Sequence, residues 1–115
     1  MRVKQGFLIV GGLLSLLVSG AAFADAKADL ARAEEIVGGR CFLCHGMEGE
    51  SASPIFPRLA GQHSEYIAKQ LGEFKSGKRK SDTMKPQAED LTPAEMKSLG
   101  AFFEAKKATA RPVKD

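Results

Sequence analysis

The chain of 115 residues has two cysteines, two histidines, one tyrosine and no tryptophan. Each scarcity narrows its chemistry. Two cysteines allow at most one disulfide, and Cys41 and Cys44 would close so tight a loop that the bridge would add little stability. The sequence shows no alternating strand pattern, so the βαβ setting of a thioredoxin-like dithiol is missing. It shows no internal repeat and no basic run interleaved with aromatics, so nothing points to nucleic acid. The basic balance is misleading: of the 17 Lys and Arg, set against 14 Asp and Glu, Arg2 and Lys4 lie in an acid-free N-terminal stretch. The remainder is close to neutral.

That stretch reads as a targeting segment. A short basic start precedes an apolar run from Phe7 to Val18, softened by Gly11, Gly12 and Ser15. Ala22-Phe23-Ala24 then forms an A-x-A cleavage site. The run falls short of the roughly 20 apolar residues of a membrane span, and no cysteine follows the cleavage site to take a lipid. The expectation is a signal peptide over residues 1–24 and a single domain over 25–115. Export into an oxidising compartment, most simply a bacterial periplasm, follows, without stable membrane insertion after cleavage. A domain of this size buries only a modest share of its surface.

What is present is Cys41-Phe42-Leu43-Cys44-His45. Two thiols separated by two residues, with an imidazole directly after the second, suit covalent attachment of haem. Each thiol adds across one porphyrin vinyl group to form a thioether, and the spacer matches the vinyl separation. His45 then lies under the ring, where its imidazole can bind the iron. Both cysteines are consumed, leaving no odd thiol, and the haem supplies an apolar plate for packing. The apoprotein is therefore expected to fold poorly. Zinc stays open as an alternative through Cys41, Cys44, His45 and His63, although zinc sites usually take their ligands as two separated pairs.

Along the rest of the chain, Asp25 can cap a helix whose apolar face is Ala26, Leu30, Ala33 and Val37, with Gly38-Gly39 stopping or bending it. A polar loop follows His45. Met47 lies too close to His45 to reach the other side of a ring. Pro54 and Pro57 stiffen the next segment, and the Pro57 carbonyl is a candidate to orient His45. Ser64 can open a second helix with the face Ile67, Leu71 and Phe74 and a stop at Gly77. His63, at its mouth, reads as a surface or capping residue. Lys75, Lys78, Arg79, Lys80 and Lys85, opposed only by Asp82, form either a solvated helix end or a docking patch for an acidic partner.

Met84 stands in a polar, irregular stretch before Pro86 and belongs to no apolar face. It lies far enough beyond His45 to come round to the other side of a haem, which makes it the candidate second axial ligand; a thioether there raises the reduction potential. Thr92-Pro93-Ala94-Glu95 is a capping box with proline at the first helical position. It opens a last helix with Met96, Leu99, Phe102 and Phe103 on its buried face. Gly100 costs this helix roughly 1 kcal/mol relative to alanine, so a close approach is expected there, most simply by the first helix.

Taken together, these stretches resemble a class I c-type cytochrome. They are similar to short single-haem periplasmic proteins and to one half of their two-haem relatives. The resemblance covers nearly all of residues 25–115. It rests on Cys41 to His45, Pro57-Arg58-Leu59-Ala60-Gly61-Gln62, Tyr66, Gln70-Leu71, Phe74, Gly77, Met84-x-Pro86 before Leu91-Thr92, and Leu99-x-Ala101-Phe102-Phe103. It implies an all-α fold of about three main helices and loops around one covalent haem c, with the first and last helices crossed beside it. Cys41 and Cys44 would form the thioethers, and His45 and Met84 the axial ligands. Relatives often carry two consecutive methionines at the distal site, whereas here Thr83 precedes a single one. The implied function is one-electron transfer between redox proteins, with no catalysis at the metal. The alternatives are a haem subunit of a larger oxidoreductase and a ligand-binding or peroxidatic haem protein, which needs an open iron position.

Overall fold

The computed structural model describes residues 19–51 and 53–109. Among these the fold is helical, with no strand. Helix α1 spans Ser19–Ile36 and passes through one wide turn, Val37–Cys41, into the single turn α2, Phe42–His45. Helix α3 spans Ser64–Ser76, α4 Met84–Ala88 and α5 Pro93–Glu104. The three long helices are the three anticipated. None of the described helices is long and apolar enough to cross a membrane. The apolar run Phe7 to Val18 lies outside the described residues.

Helix α5 is the spine, packing against both α1 and α3. Its capping box forms as the sequence predicts: Thr92 Oγ1 accepts from the Glu95 N–H at 3.1 Å, and Glu95 accepts from the Thr92 N–H at 2.9 Å. Met96, Leu99, Phe102 and Phe103 are buried against Ala33, Ile36 and Val37 of the α1 segment and Ile67 and Phe74 of α3. Arg32 ties α1 to the cap of α5 through Glu95 at 2.9 Å. Gly77 ends α3 in the left-handed conformation, φ +80°.

Four local expectations are corrected. In the uncleaved chain Asp25 lies inside α1 rather than capping it, because residues 19–24 continue the helix. Ala26 and Leu30 are exposed; a crevice, lined also by Lys97, Ser98 and Ala101, separates them from α5, and Ile36 joins the buried face instead. Gly38-Gly39 does not stop the helix. The backbone widens there, so that the Phe42 N–H reaches back to the Val37 carbonyl. The close approach at Gly100 is made by the start of α3, not by α1: a Cβ at Gly100 would lie 3.1 Å from Ser64 Cα and 3.0 Å from its carbonyl carbon. At the same crossing, hydrogen bonds from Ser64 hold the Glu104 carboxyl below its ordinary pKa.

Two measurements check this packing. Gly100→Ala is expected to destabilise by about 1–3 kcal/mol in denaturant titration, since backbone crowding outweighs the helix preference for alanine. The Glu95 carboxyl is held below its usual value of 4.5 by the Thr92 N–H and by Arg32. Its contribution is therefore complete above that value and lost as pH falls through the lower folded value. Glu95→Gln should destabilise at neutral pH, and the gap to the parent should close on acidification.

Candidate functional site

Helix α2 delivers His45 into the interior, where it is buried. Gly46, at φ +77°, turns the chain sharply out of the helix. The loop then folds back on itself. The Gly49 carbonyl accepts from the Leu59 and Ala60 N–H groups at 2.8 and 3.1 Å. Gly49 has no room for a side chain, because a Cβ would fall 2.7 Å from Ala60 N and 2.8 Å from Phe103 Cδ1. Ser51 is buried at φ +57°, and its N–H donates to the His45 carbonyl at 2.9 Å. Its hydroxyl lies 2.8 Å from the Ser53 carbonyl and 2.7 Å from that of Phe56, so one hydrogen serves both.

This folding places the Pro57 carbonyl 2.8 Å from His45 Nδ1, as the proline-rich segment suggested. A carbonyl only accepts, so Nδ1 carries the proton and Nε2 keeps a free lone pair. Phe56 meets the imidazole edge-on, with centroids 6.5 Å apart.

Met84 does not lie in irregular chain. It opens α4, with its N–H donating to Ser81 Oγ at 3.1 Å. Pro86 falls in the first turn of α4, where its missing N–H costs nothing. Met84 packs partly buried against the core.

Cys41, Cys44, His45 and Met84, contributed by three segments, line one cavity of about 580 Å³. Its walls include Ile67, Leu71, Phe74, Leu99 and Phe103. Leu43 and Ile55 also line it and stand 72% and 78% exposed; such large apolar side chains at a cavity mouth mark a surface made to be covered. Arg40, Arg58, Arg79 and Lys80 supply positive charge around it. Arg79 is braced by Gln70 Oε1 at 2.5 Å and stacks 4.6 Å above the Phe74 ring. Burial pushes the Cys41 thiol up, against the pull of Arg40.

The five cations of the basic cluster are all exposed. Only Arg79 and Lys80 line the cavity; Lys75 donates to the Leu91 carbonyl at 2.7 Å, and Lys78 lies 3.6 Å from Glu73. His63 is exposed and lies outside the cavity lining, so it does not complete a zinc set with Cys41, Cys44 and His45. Among the described residues no cluster of His, Cys, Asp and Glu fits a metal ion. Two features escaped the sequence reading. Ser51 gives no signal, since a left-handed serine cannot be read from composition. Arg40 Nη1 pairs with Asp90 Oδ1 at 2.7 Å, across fifty positions of chain. The Arg40 hydrogen bond holds the Asp90 carboxyl below its ordinary pKa.

A haem brings a wide apolar face, two carboxylates and an iron that takes nitrogen and sulfur donors. The apolar walls, the surrounding cations, the paired thiols and the oriented imidazole fit that group. Fold and site together define a class I c-type haem protein. Comparison with known proteins agrees. The Cytochrome c family profile matches residues 30–108. The chain is 36% identical to cytochrome c4 of Pseudomonas aeruginosa over 100 residues, covering 87% of this chain and 48% of that one. The structure of reduced recombinant cytochrome c4 from Pseudomonas stutzeri superposes with a TM-score of 0.62 at 30% identity, over 70% of this chain and 50% of that one. The "as isolated" thiosulfate dehydrogenase of Marichromatium purpuratum gives 0.62 at 29% identity, over 75% and 21%. The chain belongs to the cytochrome c family and carries covalently bound haem c. It spans about half the length of most of the curated relatives it matches.

Ser51→Ala removes the hydroxyl that serves two loop carbonyls in a buried position. It is expected to cost about 1–3 kcal/mol, measured by denaturant titration of the holoprotein.

Proposed function

We propose that this chain is a periplasmic one-electron carrier, its leader over residues 1–24 removed and residues 25–115 forming the cytochrome domain. Cys41 and Cys44 hold the haem through thioethers, and His45 and Met84 are its axial ligands. The observation that carries the reading is the convergence of these four side chains on one apolar cavity, with His45 Nδ1 committed to Pro57.

The bound haem supplies a reversible ferrous–ferric couple. The protein does the rest. The His45–Pro57 bond fixes the imidazole and leaves Nε2 as the donor. Met84 fills the position that an exogenous ligand would otherwise take, which argues against catalysis at the metal. The apolar walls keep water out. Partners are redox proteins that dock briefly through a small interface. Arg79 and Lys80, at the cavity, are the best placed of the cations; Lys75, Lys78 and Lys85 lie outside the cavity lining and add only to the wider field.

A haem subunit of a larger oxidoreductase is the second reading. It is favoured by the likeness to the thiosulfate dehydrogenase structure and by the exposed Leu43 and Ile55.

The deciding measurement is the visible spectrum of the exported protein, oxidised and reduced, with and without carbon monoxide. A sharp reduced c-type spectrum indifferent to carbon monoxide, with a weak far-red sulfur-to-iron band when oxidised, is expected. Met84→Ala should lose that band and gain carbon monoxide binding. A parent protein that binds carbon monoxide at once would overturn the carrier reading in favour of a ligand-binding haem protein. Co-purification in a stable stoichiometric complex would favour the subunit reading.

A further inference from the structure

Helix α4 has five residues, too few to hold itself together. Of these Ala88 is buried and Met84 partly so, while Lys85, Pro86 and, past the helix, Glu89 and Asp90 face solvent. Beyond Ala88, the next core anchor is Leu91, which is buried. The corner between, Asp90-Leu91, is gripped from two sides. Arg40, the residue before the first haem cysteine, bonds the Asp90 carboxylate at 2.7 Å, and Lys75 from α3 bonds the Leu91 carbonyl at 2.7 Å. Arg40 is itself rooted, since it lies within the wide turn that leads into α2 and lines the cavity.

We propose that the Arg40–Asp90 pair is a positioning latch. It ties the segment that carries the haem cysteines to the segment that carries Met84, and so keeps α4 closed over the cavity. The consequence for the iron rests on the ligand role assigned to Met84 above. The latch is deliberately light. Asp90 is 71% exposed and Arg40 26%, and pairs of this kind shift an equilibrium by at most about fivefold. They also weaken with salt. On the opposite side of the site, His45 is buried under a loop with several backbone hydrogen bonds, so opening is confined to the Met84 side.

The test uses holoprotein with Asp90→Asn, Arg40→Gln, both together, and Met84→Ala as reference. Three quantities are read: the rate at which ferrous protein captures carbon monoxide, the far-red band of ferric protein, and amide exchange over residues 84–91. Each single variant is expected to capture carbon monoxide about three to five times faster than the parent and to exchange faster over 84–91. The double variant should match the singles, and added salt should move the parent toward them while leaving them unchanged. Parent-like capture and exchange in both singles, or effects that add in the double variant, would overturn the latch. If the parent lacks the far-red band and Met84→Ala captures carbon monoxide no faster, the ligand assignment has failed separately. Exchange then decides alone: faster over 84–91 upholds the latch, and unchanged refutes it.

Discussion

An imidazole has two nitrogens, and it serves as a directed metal donor only when something else claims one of them. Here the claimant is the Pro57 carbonyl, and much of the local structure exists to deliver it. The Gly46 turn, the cramped Gly49 and the buried left-handed Ser51 fold the chain through a half-circle so that a carbonyl twelve residues on meets Nδ1. The packing of Phe103 against Gly49 extends the same constraint into α5. The haem-binding loop and the terminal helix are in this sense one structural unit.

The two faces of the site are built on different principles. The His45 side is overdetermined: a backbone network and an aromatic edge both fix one geometry. The Met84 side relies on a one-turn helix, two core side chains and charge-assisted contacts at the rim. The asymmetry suits the two side chains. A thioether has three rotatable bonds and no hydrogen bond to orient it, so its position must come from the backbone that carries it.

Much of this was legible in the sequence because it depends on local chemistry. Cys41 to His45, the Thr92–Glu95 capping box and the apolar faces of α3 and α5 are short-range patterns with direct physical readings. Even the Pro57 carbonyl followed from the stiffness that proline imposes. What escaped is what depends on distance. Nothing at Gly100 says that Ser64, rather than α1, will press against it. The pairing of Arg40 with Asp90 is invisible until the chain has closed on itself. Met84 stood out in the sequence because it belongs to no apolar face, and it does line the cavity, but its helix was not foreseen, because five residues carry too little periodicity to be seen. Ala26 and Leu30 show the opposite error: a regular apolar spacing invites burial, yet burial requires a neighbour, and α5 does not close against α1 at that point.

The wide turn at Val37–Cys41 carries one residue more than an ordinary helical turn. In angular terms, the turn absorbs the extra residue, so everything after it sits about 100° behind the phase of a regular α-helix. The side chains before the turn, Ala33, Ile36 and Val37, look toward α5; those after it, Cys41, Cys44 and His45, look into the cavity. A straight α-helix would present both sets with a single phase. The extra residue acts as a phase shifter, letting one nearly continuous rod serve two surfaces that do not face the same way. Gly38 and Gly39 lie in this turn, and their Cβ positions meet no neighbour, so want of space is not what calls for glycine there.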